Sequence, residues 1–194
     1  MNVYDFDKTI YAGDSTIDFY LYCIKRKPAI LLCFPGQLWG AVRYKMGWLD
    51  KTRFKEIFYR FLSHIDDISP FVSGFWDKNQ HKIKKWYLDQ QMENDVVISA
   101  SPFFLLDEIC TRTGIRNLIA SDVDKRTGKY TGTNCYGEEK VRRFQKEIGG
   151  EIEAFYTDSL SDLPMMQLAQ KAYLVDGNTL MKWNGEKDEK VKGI

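Results

Sequence analysis

Histidine is scarce in this sequence: His64 and His81 are its only two in 194 residues, far apart in the chain. That excludes a His-rich zinc site and argues against a catalytic dyad built on imidazole. Cysteine is nearly as sparse. Cys23, Cys33, Cys110 and Cys135 show no CxxC spacing and sit mostly in apolar runs, so they read as reduced core residues, not as a disulfide framework. Net charge is also lacking: 28 Lys and Arg against 27 Asp and Glu leave +1, so no global field recruits nucleic acid or an anionic membrane. There is no long apolar run. The most membrane-like stretch, Pro28 to Val42, contains Pro35, Gly36 and Gln37 and is bounded by Lys27 and Arg43. It is too short to span a bilayer, which leaves peripheral contact open. The charged DFD segment arrives by residue 5, leaving no room for a signal peptide's apolar region, and a cytoplasmic location is expected. Chemistry must therefore rest on carboxylates, hydroxyls and lysine.

A hydrophobic share of 44% and a charged share of 28% describe one globular domain, or one domain carrying an inserted module. Short apolar runs rich in β-formers at Met1 to Phe6, Val96 to Ser99, Arg116 to Ser121, Glu153 to Thr157 and Ala172 to Val175 predict buried parallel strands. Helical patterns at about Phe103 to Thr113, Glu138 to Ile148 and Leu163 to Gln170 separate them. This alternation predicts an α/β fold, a parallel sheet wrapped by helices. Turn residues between Val123 and Thr133 suggest a β-hairpin interrupting that rhythm, and the polar GEKDEKVKGI end reads as a frayed tail.

Residues 15 to 94 show no comparable strand pattern. Phe54, Ile57, Phe58, Phe61, Leu62 and Ile65 recur at helical spacing, so this interval is expected to be a helical cap domain inserted into a core domain of residues 1–14 and 95–194. It leaves the sheet after the first strand, at the carboxyl edge where open α/β folds hold ligands. With 13 basic and 8 acidic residues the insertion carries +5 against −4 elsewhere, and a basic lid favours an anionic substrate, though single lysines read first as solvated helix faces. The apolar AILLCFPGQLWGAV run reads as packing between cap helices, with contact to a lipid tail as the alternative.

Four short segments carry chemistry. Asp5 and Asp7, in DFDKT, are two carboxylates where a strand runs out; burying both is expensive unless a cation or a proton compensates. Ser99, in VVISASP, ends a second strand with a hydroxyl and, through Ala100, backbone N–H groups ahead of a helix N-terminus suited to phosphate. Ser101 before Pro102 reads as the cap of that helix, leaving Ser99 for a ligand. Lys140 lies near the start of a later helix and could neutralise a carboxylate and a phosphoryl oxygen together. Asp158 and Asp162, in TDSLSD, bring two more carboxylates to a strand end, a set suited to oxygen-loving Mg²⁺.

In that order the four motifs closely resemble those of the haloacid dehalogenase (HAD) superfamily of phosphohydrolases, from Val3 to Val175. The inserted helices resemble the C1-type cap of subfamily IB, the subgroup containing phosphoserine phosphatase and phosphatidylglycerophosphatase C. The resemblance implies a HAD-like Rossmannoid core and a Mg²⁺-dependent phosphomonoesterase working through an aspartyl-phosphate. Asp5 would be the nucleophile and Asp7 the general acid and base. Ser99, Ala100 and Lys140 would hold the phosphoryl group, and Asp5, Asp7 (through its backbone carbonyl), Asp158 and Asp162 the metal, while Thr9 ties the first loop down.

Some positions depart from the phosphoserine phosphatase pattern. Ala100 and Ser101 replace a Gly-Gly pair after Ser99, and Ser161 stands where that pattern has Asn. Asp14 falls where the family often binds a substrate amine, and Arg60 lies near its carboxylate-binding arginine. GDSTIDF (Gly13 to Phe19) and SASP look instead like phosphatidylglycerophosphatase C. The expected substrate is a small or lipid-linked phosphate ester. Phosphotransfer to an alcohol, and a phosphate-binding module without turnover, are the alternatives; oligomeric state is not legible.

Overall fold

In a computed structural model that describes residues 1–185, six strands form one sheet. They are β1 (Asn2–Tyr4), β2 (Val96–Pro102), β3 (Asn117–Ser121), β4 (Ala154–Thr157), β5 (Lys171–Asp176) and β6 (Thr179–Trp183). Their order is β3-β2-β1-β4-β5-β6, parallel except that β6 pairs antiparallel with β5. Neighbouring residues on each strand face opposite sides: Val3, Ile98 and Phe155 join one apolar cluster, Tyr4, Val97 and Tyr156 the other. Burial on both faces explains why these strands read as continuous apolar runs. Helices α6 (Phe103–Thr113), α7 (Glu138–Glu147) and α8 (Leu163–Leu168) connect the later strands.

The expected α/β architecture is observed. β6 was not anticipated; its signal is the Gly177-Asn178 pair, a two-residue loop between the paired Asp176 and Thr179. The expected hairpin at Val123 to Thr133 is instead a loop closed by a single Val123–Tyr130 bridge. In the turn of this loop Gly128 has φ +71°, and a Cβ there would come within 2.4 Å of the Tyr59 carbonyl, so the loop is wedged against the inserted helices. Of the expected polar tail, residues 186–194 lie outside the described residues.

Between β1 and β2 the chain forms α1 (Ser15–Arg26), α2 (Phe34–Lys45), α3 (Lys51–Tyr59), α4 (Ser69–Asn79) and α5 (Lys85–Gln90), with short 3₁₀ turns between some of them. These helices share an apolar cluster with the sheet, in which Trp76 of α4 stacks edge-on to Phe6 and Tyr11 and donates from Nε1 to the Leu105 carbonyl, 2.7 Å. β1 lies between β2 and β4. The chain therefore leaves it to opposite sides, and the crevice beyond the carboxyl ends of β1, β2 and β4 is a topological switch point.

Candidate active site

That crevice is a cleft of about 320 Å³, lined from the core by Asp5, Asp7, Asp14, Ser99, Ala100, Ser101, Lys140, Asp158 and Asp162, and from the inserted helices by Lys51, Phe54, Lys55, Phe58 and Tyr59. Four motifs more than 150 residues apart in the chain thus reach one cavity.

Asp5 continues the β1 ladder, its N–H donating to the Tyr156 carbonyl at 2.8 Å. Lys8, at φ 58°, takes the left-handed conformation that turns the loop, and both carboxylates of Asp5 and Asp7 face the cleft. Lys140, only 2% exposed, donates to Asp5 Oδ1 and Asp162 Oδ2, each at 2.7 Å. Thr157 adds a 3.0 Å hydrogen bond to Asp162, and Thr9 a long 3.5 Å contact to Asp5 Oδ2. Burial pushes the Lys140 ammonium toward neutrality, but Asp5 and Asp162 more than reverse this, and its pKa is raised. Burial likewise drives Asp5 up to about 7, against the attraction of Lys140 and with repulsion from Asp162 and Asp7. One ammonium does not compensate this many acids.

Asp7 is held differently. The Ser15 N–H at the start of α1 donates to its Oδ1 at 2.6 Å, and the Ser101 hydroxyl donates to its Oδ2, a carboxylate at a helix N-terminus. Burial, and then Asp14, still raise it to about 6, over the opposing hydrogen bonds from Ser101 and Ser15. A carboxyl group titrating there is suited to proton transfer near neutral pH. Asp158 is raised as well, by burial first.

Of the two serines, Ser101 departs from the duty read from the sequence. Ser101 caps no helix; β2 runs on through it, with a register shift between Ser99 and Pro102, and its hydroxyl is spent on Asp7. Ser99 Oγ accepts from the Ser101 N–H at 3.1 Å and still lines the cleft. Ala100 also lines it, with its carbonyl taken by Lys55 Nζ at 2.8 Å.

Asp14 caps α1 through the Ile17 N–H, 3.0 Å, and lines the cleft. Arg60 does not. The face of α3 at positions 51, 54, 55, 58 and 59 meets the cleft, whereas Arg53, Glu56, Ile57 and Arg60 follow the opposite face into a separate groove. The same spacing identifies Lys55, which the sequence reading passed over: burial first, then Lys51, lower its pKa to about 8.

The donors here are oxygens only. Asp5 and Asp158 are acids short of compensating charge, and such a set fits a hard divalent cation such as Mg²⁺. Among the described residues, no three His, Cys, Asp or Glu side chains are drawn into one compact cluster.

Residues 3–167 match the family model of the haloacid dehalogenase-like hydrolases. A histidinol-phosphatase from Neisseria meningitidis serogroup C (strain 8013) is 30% identical over a stretch covering 53% of this chain and 51% of that protein, so the chain spans about half the relative's length. Among solved structures, a protein of unknown function from Bordetella pertussis Tohama I superposes with a TM-score of 0.71 at 21% identity, over 89% of this chain and 87% of that one. A phosphoserine phosphohydrolase-like protein from Francisella tularensis gives 0.55 at 15%, over 89% and 86%. Both likenesses concern the fold. With the family model covering most of its length, the chain belongs to the haloacid dehalogenase-like hydrolases.

Proposed function

We propose that this protein is a Mg²⁺-dependent phosphomonoesterase acting through an aspartyl-phosphate on Asp5. The observation that carries this reading is the unequal treatment of two adjacent acids. Asp5, which lines the cleft, has one oxygen pinned by Lys140 and the other held only by a long 3.5 Å contact from Thr9, while both oxygens of Asp7 are taken, one by the Ser15 N–H at the start of α1 and one by the Ser101 hydroxyl. Asp5 attacks phosphorus, and the bond to the ester oxygen breaks as Asp7 protonates that leaving oxygen. Asp7, now ionised, takes a proton from the water that attacks the acyl phosphate, releasing inorganic phosphate and restoring Asp5. Ser99 and Lys140 hold phosphoryl oxygens. Asp5, Asp158 and the Asp7 backbone carbonyl, with Asp162 in support, would hold Mg²⁺, which supplies Lewis-acid stabilisation of the transferring group.

A phosphate-ester substrate agrees with the printed names of the Neisseria relative and the Francisella neighbour. The cleft volume suits a small ester or the head of a lipid-linked one. Its cap-side cations, Lys51 and Lys55, favour an anionic group, while Arg60 lies too far round α3 to serve as its carboxylate anchor. All four cysteines are free, in keeping with a reducing, cytoplasmic setting.

Phosphate release from a generic aryl phosphate tests the reading: turnover with Mg²⁺, loss in EDTA and recovery on adding Mg²⁺ are expected. A folded protein that releases no phosphate would be a binding module; one that hands the phosphoryl group chiefly to an added alcohol would be a transferase. Lys55 supplies a finer check. Its ammonium loses charge as pH rises through about 8, so KM for an anionic ester should climb above that pH. Lys55→Gln should raise KM by about tenfold at neutral pH and remove that alkaline climb, as initial rates across pH will report.

A further inference from the structure

Helix α2 is inside out. Its stripe at i, i+4 and i+8, Phe34, Leu38 and Val42, faces solvent together with Trp39, which is 58% exposed, while the residues it buries are Gln37 and Gly40. The exposed surface continues on both sides: Leu32, at 77%, lies in the turn before the helix and Trp48, at 60%, beyond it. A helix free to rotate would bury that stripe. This one is locked. Gln37 accepts from the Tyr20 hydroxyl at 2.6 Å and donates to the Phe58 carbonyl at 2.8 Å. Gly40 lies so close to α3 that a Cβ would come within 2.8 Å of Ile57. Turning the apolar stripe inward would break both hydrogen bonds and drive a side chain into Ile57. The expectation that this run packs between cap helices is thereby overturned.

A patch of this kind marks an interaction surface, and its charge indicates the partner. From Phe19 to Leu49 there is no Asp or Glu, but five basic residues. Lys27 is drawn to Asp66 at 3.3 Å and Arg26 lies over the Tyr22 ring at 4.7 Å; Lys25 before the crest, and Arg43 and Lys45 at its end, remain for a partner. Exposed Trp and Leu bracketed by cations suit the interface of an anionic bilayer, where rings and aliphatic chains enter the headgroup region and ammonium and guanidinium groups stay at the phosphates. A second copy fits poorly, since a two-fold contact would set this cationic segment against itself. Helix α2 also adjoins the wall of the cleft, because its Tyr44 stacks on Phe54, a lining residue, at 5.0 Å between centroids.

We propose that the outward face of α2, with Leu32, Trp39 and Trp48, docks this protein onto anionic lipid membranes. Flotation with vesicles tests this without any catalytic reading. The intact protein should float with phosphatidylglycerol–phosphatidylcholine vesicles and at least about tenfold less with phosphatidylcholine alone. Salt at about 0.5 M should weaken binding several-fold. Leu38→Ser with Trp39→Ser should cut partitioning by about thirtyfold or more, and Arg43→Glu with Lys45→Glu by about tenfold. Leu38, Trp39 and Lys45 are exposed and Arg43 is half-buried, and an unchanged melting temperature establishes that each variant is folded; should either misfold, the lipid-composition and salt arms on the intact protein still decide. No binding, binding indifferent to lipid charge, or binding unaffected in folded variants overturns the proposal. So does a lipid-free dimer, seen by sedimentation velocity, that Trp39→Ser dissolves without any vesicle binding by the parent.

Discussion

Asp5→Asn removes turnover by about 10⁴-fold or more while the protein stays folded and, in the absence of metal, becomes more stable above neutral pH. The first half follows from chemistry, since an amide does not attack phosphorus. The second follows from electrostatics. The folded-state pKa of Asp5, about 7, and of Asp7, about 6, lie above the ordinary carboxylate value of 3.8, so the fold prefers both acids protonated. Their favourable contribution is complete below about pH 4 and is lost as pH rises through 6 to 7. Asn keeps the shape and an oxygen for Lys140 but cannot ionise, so the variant's stability should fall less steeply over that window. Chemical denaturation at several pH values measures it. A variant markedly less stable than the parent at pH 8 would show that the Asp5–Lys140 pair outweighs the strain of the crowded acids.

Lys140→Met should be the most damaging single change to the fold in this region. Lys140 is nearly inaccessible and bridges two buried carboxylates. Removing it leaves Asp5 and Asp162 facing each other without a counter-charge, a loss of about 3–5 kcal/mol. A surface lysine would cost under about 0.5 kcal/mol. Activity should vanish too, but catalysis alone does not isolate the physical claim. The double variant Asp5→Asn, Lys140→Met does, because it removes one of the stranded charges. It should recover part of the lost stability while remaining inactive, a coupling visible in a double-mutant cycle of urea midpoints. A Lys140→Met protein as stable as the parent would mean that the ammonium is not needed to offset its neighbours.

The fold was largely legible because local pattern and burial agree. Strands buried on both faces leave short apolar runs, and the chain order of motifs at their ends survives any error of a residue or two in their bounds. The convergence of Asp5, Asp7, Ser99, Lys140, Asp158 and Asp162 on one cleft follows from that topology, since parallel strands deliver their carboxyl ends to the same edge. Hidden were features decided by rotation about an axis. Ser99 and Ser101 lie two apart on one strand, and the register shift beside Pro102, not their residue type, assigns Ser101 to Asp7. Arg60 and Lys55 lie five apart on a short helical stretch and fall on opposite faces of it. For α2, apolarity alone pointed inward; the decisive information was in Gln37 and Gly40, whose partners on α1 and α3 are distant in sequence. β6 was missed because its residues are mostly exposed and show little burial pattern.

The covalent role of Asp5 can be observed directly. The protein is mixed with an aryl phosphate and Mg²⁺, quenched in acid within the first turnover and digested, and its peptides are weighed. One added phosphoryl group is expected on the peptide that contains Asp5, formed and lost at rates consistent with turnover and absent from the Asp5→Asn protein. An active enzyme that never carries phosphate there, or carries it on another residue, would rule out Asp5 as the nucleophile.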